Sequence, residues 1–303
     1  MTTGLAFTTP AAAPRWRRWL VLSPVARIAW FVVAYAVLTI VGQRLIALAG
    51  WNKAAAPSLD HALATLFFQL VPAVIAYLLV VRLIEKRRVA ELAVRDIPRF
   101  GGSGLVLGAG LFTFVIGVLA LAGAYHVTGV DTHVDWLPGV LVAGIGAGIG
   151  EEILIRGVLF RVVEEGLGTW WALAISAAVF GLAHMLNPNA TAWSTFAIML
   201  EAGVLLALVY HVTRTLWASI GLHAAWNVSE GTLYGVPVSG TEPHGFLVSN
   251  LVGPQWLTGG GFGAEASVVA VATCMATSIV LLGFALKRGS IVPPFWRRGI
   301  DRA

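Results

Sequence analysis

About eight stretches of roughly twenty mostly apolar residues run through the chain, near Ala26–Leu48, Ala62–Leu83, Gly104–Tyr125, Leu137–Phe160, Trp170–Leu186, Thr195–Val212, Leu216–Val236 and Ala264–Leu286. Each is about long enough for a helix to cross the roughly 30 Å hydrocarbon core of a bilayer. Within that core every backbone N–H and C=O needs a partner in the chain, so runs of this kind fold as helices. The expected fold class is an all-α integral membrane protein with about eight transmembrane helices. The fifth and sixth stretches are short enough for tilt or partial re-entry. Only 12% of the 303 residues are charged and 58% are apolar, against roughly 25% charged in soluble domains. That balance excludes a soluble enzyme, a disordered chain and a fibrous one. The single cysteine, Cys274, allows neither an intramolecular disulfide nor a cysteine-based zinc cluster.

The formal net charge is +5. In a soluble protein it would raise nucleic-acid binding, but here the basic residues sort by side. Arg15, Arg17, Arg18 and Arg27 precede or open the first span. Arg82, Lys86, Arg87, Arg88, Arg95 and Arg99 end the second span or lie between it and the third. Arg161 follows the fourth and Arg214 the sixth, and Lys287, Arg288, Arg297, Arg298 and Arg302 follow the last. With an even number of spans all of these share one side. The other side has Arg44 and Lys53, with the acidic Asp60, Asp131, Asp135, Glu242 and Glu265. The positive-inside rule then makes both termini cytoplasmic in a multi-pass protein of the cell membrane. The charge marks orientation, and no nucleic-acid partner is expected. The first span starts late, is interrupted by Arg44 and lacks a small-residue cleavage site, unlike a secretory signal.

Four segments follow: a cytoplasmic tail over 1–25, helices over 26–136, a polar helix block over 137–240, and an outer loop, last helix and basic tail over 241–303. The charged segment Arg82–Phe100 reads equally as a cytoplasmic surface helix or a solvated loop. The Gly- and Pro-rich stretch Gly235–Gly263 reads as an outer loop. Asp131, His133 and Asp135 read as a solvated turn.

Ionisable groups inside membrane helices cost several kcal/mol unless paired, so they mark function. They concentrate in the fourth to seventh spans: Glu151, Glu152 and Arg156, then His184, then Glu201 and His211, then His223, Asn227 and Glu230. Glu152 and Arg156 are four apart and can pair on one helix face. Glu151 is turned from Glu152 by about 100° and points elsewhere. His223 and Asn227 share a face, with Glu230 seven beyond His223 on nearly the same face. Phe180 and His184 share another. Gly144, Gly146, Gly148 and Gly150 lead into the acidic pair and would let neighbouring helices approach it. His211, at a span end near Arg214, is expected to have an interface role. Glu201 and Glu230 have no assigned role, and Cys274 is expected to be a small apolar filler.

Three motifs then stand in order, each on its own helix. Glu151-Glu152-Ile153-Leu154-Ile155-Arg156 reads EExxxR, Phe180-Gly181-Leu182-Ala183-His184 reads FxxxH, and His223-Ala224-Ala225-Trp226-Asn227 reads HxxxN. Together they resemble the CPBP family, the CAAX prenyl-protease type 2 and bacteriocin-processing intramembrane endopeptidases. Arg156-Gly157-Val158-Leu159-Phe160, Asn187-Pro188-Asn189 and Ile220-Gly221-Leu222-His223 look like a bacterial branch. The resemblance spans roughly Pro138–Gly240. Glu201, where the family more often has a small or apolar residue, and Arg214-Thr215, in place of a Gly-Ser turn, depart from it.

The resemblance implies peptide-bond hydrolysis at the membrane, with a peptide or membrane protein as substrate and the bilayer as surroundings. Glu151 would be the general base, since a carboxylate in apolar surroundings is a better proton acceptor than one in water. His184 would hold and polarise the water. His223 and Asn227 would donate to the oxyanion, each donor worth about 3–4 kcal/mol. Arg156, paired with Glu152, would orient the fourth helix. The preferred reading needs no cofactor. Zinc, held by Glu151, His184 and His223, is the alternative, although no HExxH helix is present. A non-catalytic scaffold or immunity protein and an ion-coupled transporter are the competing functions.

Overall fold

The computed structural model describes residues 5–51, 53 and 58–298. The first helix, α1 (Pro24–Ala49), begins where Ser23 Oγ accepts the Ala26 N–H at 3.2 Å and Pro24 occupies the first turn; it stops at Gly50, whose φ of 75° is left-handed. The helices α2 (Leu59–Ile84), α3 (Val94–Leu121), α4 (Trp136–Leu167), α5 (Thr169–Leu186) and α6 (Ala192–Thr213) follow. Next come α7 (Leu216–Asn227, continued by the wider turns of Val228–Leu233) and α8 (Val268–Lys287).

Seven of these helices are long and apolar enough to cross a membrane, and α7 is not among them. The expected count of about eight is not confirmed by length and composition alone. His223, Asn227, Ser229 and Glu230 lower its apolarity, and most of its side chains are buried against α3, α4 and α6. A helix wrapped in protein needs no lipid-compatible face. By contrast, α1 exposes Val33, Val37, Ile40, Val41 and Leu48, as a helix bathed in lipid does.

Other boundaries also move. The third span ends at Leu121, and Tyr125 opens a strand, β1 (Tyr125–Val130), paired antiparallel with β2 (Leu247–Leu251). Tyr125 stands opposite Leu251 and Val130 opposite Leu247. The fourth span runs on past Phe160 to Leu167 and so carries Glu164 and Glu165. The last helix begins at Val268, which leaves Ala264–Ala266 as a separate short turn. Asp131 and Asp135 lie in an exposed turn, as expected, where Asp135 caps α4 by accepting the Leu137 N–H at 3.1 Å.

The glycines of α4 serve two neighbours alternately. Side chains at Gly146 and Gly150 would run into Gln69 of α2; a Cβ on Gly150 would lie 2.6 Å from the Gln69 carbonyl oxygen. Those at Gly144 and Gly148 would meet α7, at Val228 and Ala224. The four-residue spacing of each pair puts α2 and α7 on opposite sides of α4, just before the acidic pair.

Both tails meet at one end of the bundle. The Phe7 ring lies under the Arg27 guanidinium, Thr169 N–H donates to Val292 O at 3.0 Å, and Arg298 donates to the carbonyls of Glu164 and Glu165. Arg82–Phe100 is here neither a surface helix nor a solvated loop. It turns inward through Ala90–Leu92, and Glu85 and Glu91 are buried. Glu85 accepts from Arg27 at 2.6 Å, Arg87 at 2.7 Å and Arg161 at 2.9 Å, and Glu91 from Arg87 at 2.6 Å and from the Tyr77 hydroxyl. Burial alone would raise both carboxyls. The guanidinium groups around them outweigh it and hold both below the usual carboxylate range. Glu165 pairs with Arg27 and Arg161, and Glu164 with Arg214. His211 is buried in this network, between Glu164 at 2.8 Å and Ser290 at 3.1 Å.

Candidate active site

Midway along α4 the backbone passes from wide i→i+5 turns (Gly139–Gly146) to an α-helical turn (Ala147–Glu152) and back to wide turns (Ile153–Phe160). Such widened turns frequently accompany functional sites. The α-helical turn presents Glu151 and Glu152 on different faces. Glu152 is fully buried, and its Oε1 accepts from Arg156 Nη1 at 2.7 Å and from His223 Nδ1 at 3.0 Å. Arg156 Nη2 donates to the carbonyls of Ala202 (2.9 Å) and Gly203 (3.2 Å) on α6. Its guanidinium lies 4.6 Å from the centre of the Phe180 ring on α5. One ion pair therefore ties α4 to α5, α6 and α7. In apolar surroundings such a pair survives because every charge has a partner.

The same pair orients a histidine. Glu152 is an acceptor, so His223 Nδ1 carries the proton between them and Nε2 is turned the other way. Nε2 lies 3.9 Å from Glu151 Oε2, which has no hydrogen-bond partner of its own. The Glu151 side chain is 39% exposed, where that of Glu152 is fully enclosed. On α5, His184 Nδ1 donates to the Phe180 carbonyl at 2.8 Å, which leaves its Nε2 free. The Phe180 ring packs against both imidazoles, with centres at 4.6 Å from His184 and 6.2 Å from His223. Asn227 Nδ2 donates to Ala143 O at 3.0 Å and keeps a second N–H.

His184, His223 and Asn227 line one cavity of about 20 Å³, room for about one water. Glu151 stands beside it, one side chain away through His223 Nε2. No hydrogen bond or ion pair joins His184 to Glu151 among the described residues. Nor, among those residues, do three His, Cys, Asp or Glu side chains stand together in a way that could hold a metal ion. Glu151, His184 and His223, the set expected for zinc, therefore do not fit that ion, and no step below runs through one.

Three further residues reach this cavity. Glu201 of α6 lines it with Oε2 unpartnered, while its Oε1 accepts from the Cys274 thiol at 3.8 Å. Cys274 is thus more than an apolar filler. Ser239 and Glu265 also line it, and Ser239 N–H donates to Glu265 Oε1 at 2.5 Å. Glu265, expected among the outer-side acids, is buried in the site because the Gly235–Gly263 loop folds back over α7. Burial pushes its carboxyl up to about 7, against the opposing donor from Ser239. Behind it Glu230 is fully buried, accepting from Trp226 Nε1 at 3.2 Å and from the Glu265 N–H at 3.3 Å. Glu230 is visible in the sequence as an acid within an apolar stretch. Glu265 also stands inside one, near the start of the last stretch, but reads there as one of the outer-side acids.

No curated protein and no solved structure matches the chain. Residues 133–229 match the family model of the type II CAAX prenyl endopeptidase Rce1-like proteins. That segment holds Glu151, Glu152, Arg156, His184, His223 and Asn227, and over it the chain is similar to the type II CAAX prenyl endopeptidases.

Proposed function

We propose that the protein hydrolyses peptide bonds of membrane-associated peptides or proteins with water as the nucleophile. The observation that carries this reading is Glu152 Oε1 shared between Arg156 and His223, which turns His223 Nε2 toward the free Oε2 of Glu151. Glu151 takes a proton from a water placed between it and the cavity, and the hydroxide attacks the peptide carbonyl. His184 holds that water through its free Nε2. The imidazolium form of His223, through Nε2–H, and the second N–H of Asn227 donate to the oxyanion of the tetrahedral intermediate. The proton held on Glu151 passes to the leaving amine as the C–N bond breaks. Arg156 and Glu152 position His223 without touching substrate.

The test uses the purified full chain in detergent or liposomes with a membrane-peptide library, read by mass spectrometry. Glu151→Ala, His184→Ala and His223→Ala each lower cleavage by about 10²–10⁴-fold, the range of general acid–base catalysis, with folding intact. Asn227→Ala keeps more residual cleavage, because an oxyanion donor assists the attack without starting it. Wild-type cleavage by the Glu151→Ala protein would overturn the assignment. By the positive-inside rule the basic, termini-bearing end would face the cytoplasm of a bacterial cell, and protease protection of a tag on either terminus checks this.

A further inference from the structure

Every buried carboxylate at the termini-bearing end, and Glu152 in the site, has an arginine within ion-pair distance. Glu201, Glu230 and Glu265 have no ion pair with any Arg or Lys among the described residues. Two of the three, Glu201 and Glu265, line the same cavity as His184, His223 and Asn227. Glu201 is 3% exposed and still has an oxygen without a partner. A cavity beside the reacting groups is thus walled by buried acids lacking a counter-charge. Its other walls include the aliphatic Ile198, Leu205, Leu206 and Leu222 and the rings of Phe180 and Trp226.

We propose that Glu201 and Glu265 form a subsite for a primary ammonium group, the side-chain end of a lysine next to the scissile bond of the substrate. The peptide half of this inference rests on the endopeptidase reading above. An ammonium is about the size of the water the cavity admits. A guanidinium is a broad planar fork and does not fit that volume. The four-carbon stem of lysine would lie along the aliphatic wall. The free Oε2 of Glu201 would accept one ammonium N–H, and Glu265 another, beside the donor it already has from Ser239. The cation supplies what the fold omits, a positive charge among buried carboxylates, at the moment substrate enters.

Binding is tested apart from catalysis. The probe is n-butylammonium, added to the full-length Glu151→Ala protein while its thermal unfolding is followed. We expect a saturable rise in midpoint with n-butylammonium, a response at least about fivefold weaker to n-butylguanidinium, and none to n-butanol. The rise is lost in Glu201→Gln/Glu265→Gln on the same background. No rise, an equal rise with n-butanol, or a rise unchanged in the folded double variant would each overturn the subsite. If the double variant does not fold, the ammonium-against-alcohol comparison decides alone. In the cleavage arm, wild-type protein is given peptides with lysine or norleucine scanned across the cut site. One lysine position should raise kcat/KM by about tenfold, as a charged hydrogen bond does, and that ratio should fall toward one in Glu201→Gln. An active enzyme indifferent to lysine would overturn the specificity. Failure to cleave any peptide would overturn the endopeptidase reading, with the binding arm still deciding the subsite.

Discussion

The two ends of the bundle treat buried carboxylates in opposite ways. At the end that holds both tails, Glu85, Glu91, Glu164 and Glu165 meet Arg27, Arg87, Arg161 and Arg214 at ion-pair distance. Around the cavity, Glu201, Glu230 and Glu265 are as deeply buried and have no arginine or lysine at ion-pair distance among the described residues; they receive a thiol, an indole and two backbone N–H groups. The first arrangement closes on itself and holds tails, loop and helices together. The second is an incomplete electrostatic set, and incomplete sets in a low-dielectric site are where a bound group gains most.

The largest break in this comparison comes from removing one cation. Arg156→Met leaves Glu152 with no arginine and should cost about 3–5 kcal/mol in chemical unfolding from detergent. Arg161→Met takes one guanidinium from Glu85 and one from Glu165, both of which keep Arg27, and should cost less. Glu230→Gln, by contrast, should be neutral or stabilising, because it removes an acid that has no cation to lose. A loss there as large as for Arg161→Met would erase the distinction between the two ends.

A smaller effect tests the packing that brings the site together. Gly150→Ala should cost about 1–3 kcal/mol, because its methyl group meets the backbone of α2. Gly148→Ala should cost less, since its nearest neighbour is the Ala224 methyl at 3.2 Å. Equal losses would show that α2 and α7 press on α4 alike.

The smallest effect is in pH, and its sign differs between the ends. Glu85 and Glu91 titrate below their unfolded value of about 4.3, so their stabilisation is complete above that value and is lost as pH falls below it. Glu265 titrates at about 7, so its contribution is complete below about 4.3 and is lost as pH rises through 7. Each group changes stability by at most about 1.4 kcal/mol per pH unit. Thermal midpoints measured from pH 2 to 9 should lose the decline between about pH 4.3 and 7 in Glu265→Gln and part of the decline below about pH 4.3 in Glu85→Gln.

The legibility of these regions in the sequence follows the same physics. Glu151, Glu152, Arg156, His184, His223 and Asn227 stood out because a polar residue in an apolar helix is conspicuous, and the Glu152–Arg156 pair followed from one turn of helical geometry. The structure adds that Glu152 also holds His223, a contact across 71 residues that no local spacing encodes. Glu85 and Glu91 were hidden in a charged segment that looked solvated, because their partners Arg27 and Arg161 lie 58 and 76 residues from Glu85. Glu265 stands at the start of the last apolar stretch and reads as an outer-side acid, because the Gly- and Pro-rich loop before it carries no periodicity to show that it folds back over α7. The seventh helix is less apolar than the others because it is enclosed by protein, and composition alone does not say whether a helix's neighbours are lipid or protein.

The way the cavity is walled has a consequence for how the molecule is made. His184, Glu201, His223 and Asn227 are all in place before the ribosome reaches Ser239, Glu265 and Cys274. Chains fold broadly from the N-terminal side as they emerge. The proposed reacting groups therefore pass through a stage in which one wall of their chamber has not yet been synthesised. Only when the closing loop and the last helix arrive does the chamber exist, so a chain cut short before Glu265 would carry all six motif residues and still lack a finished place to work.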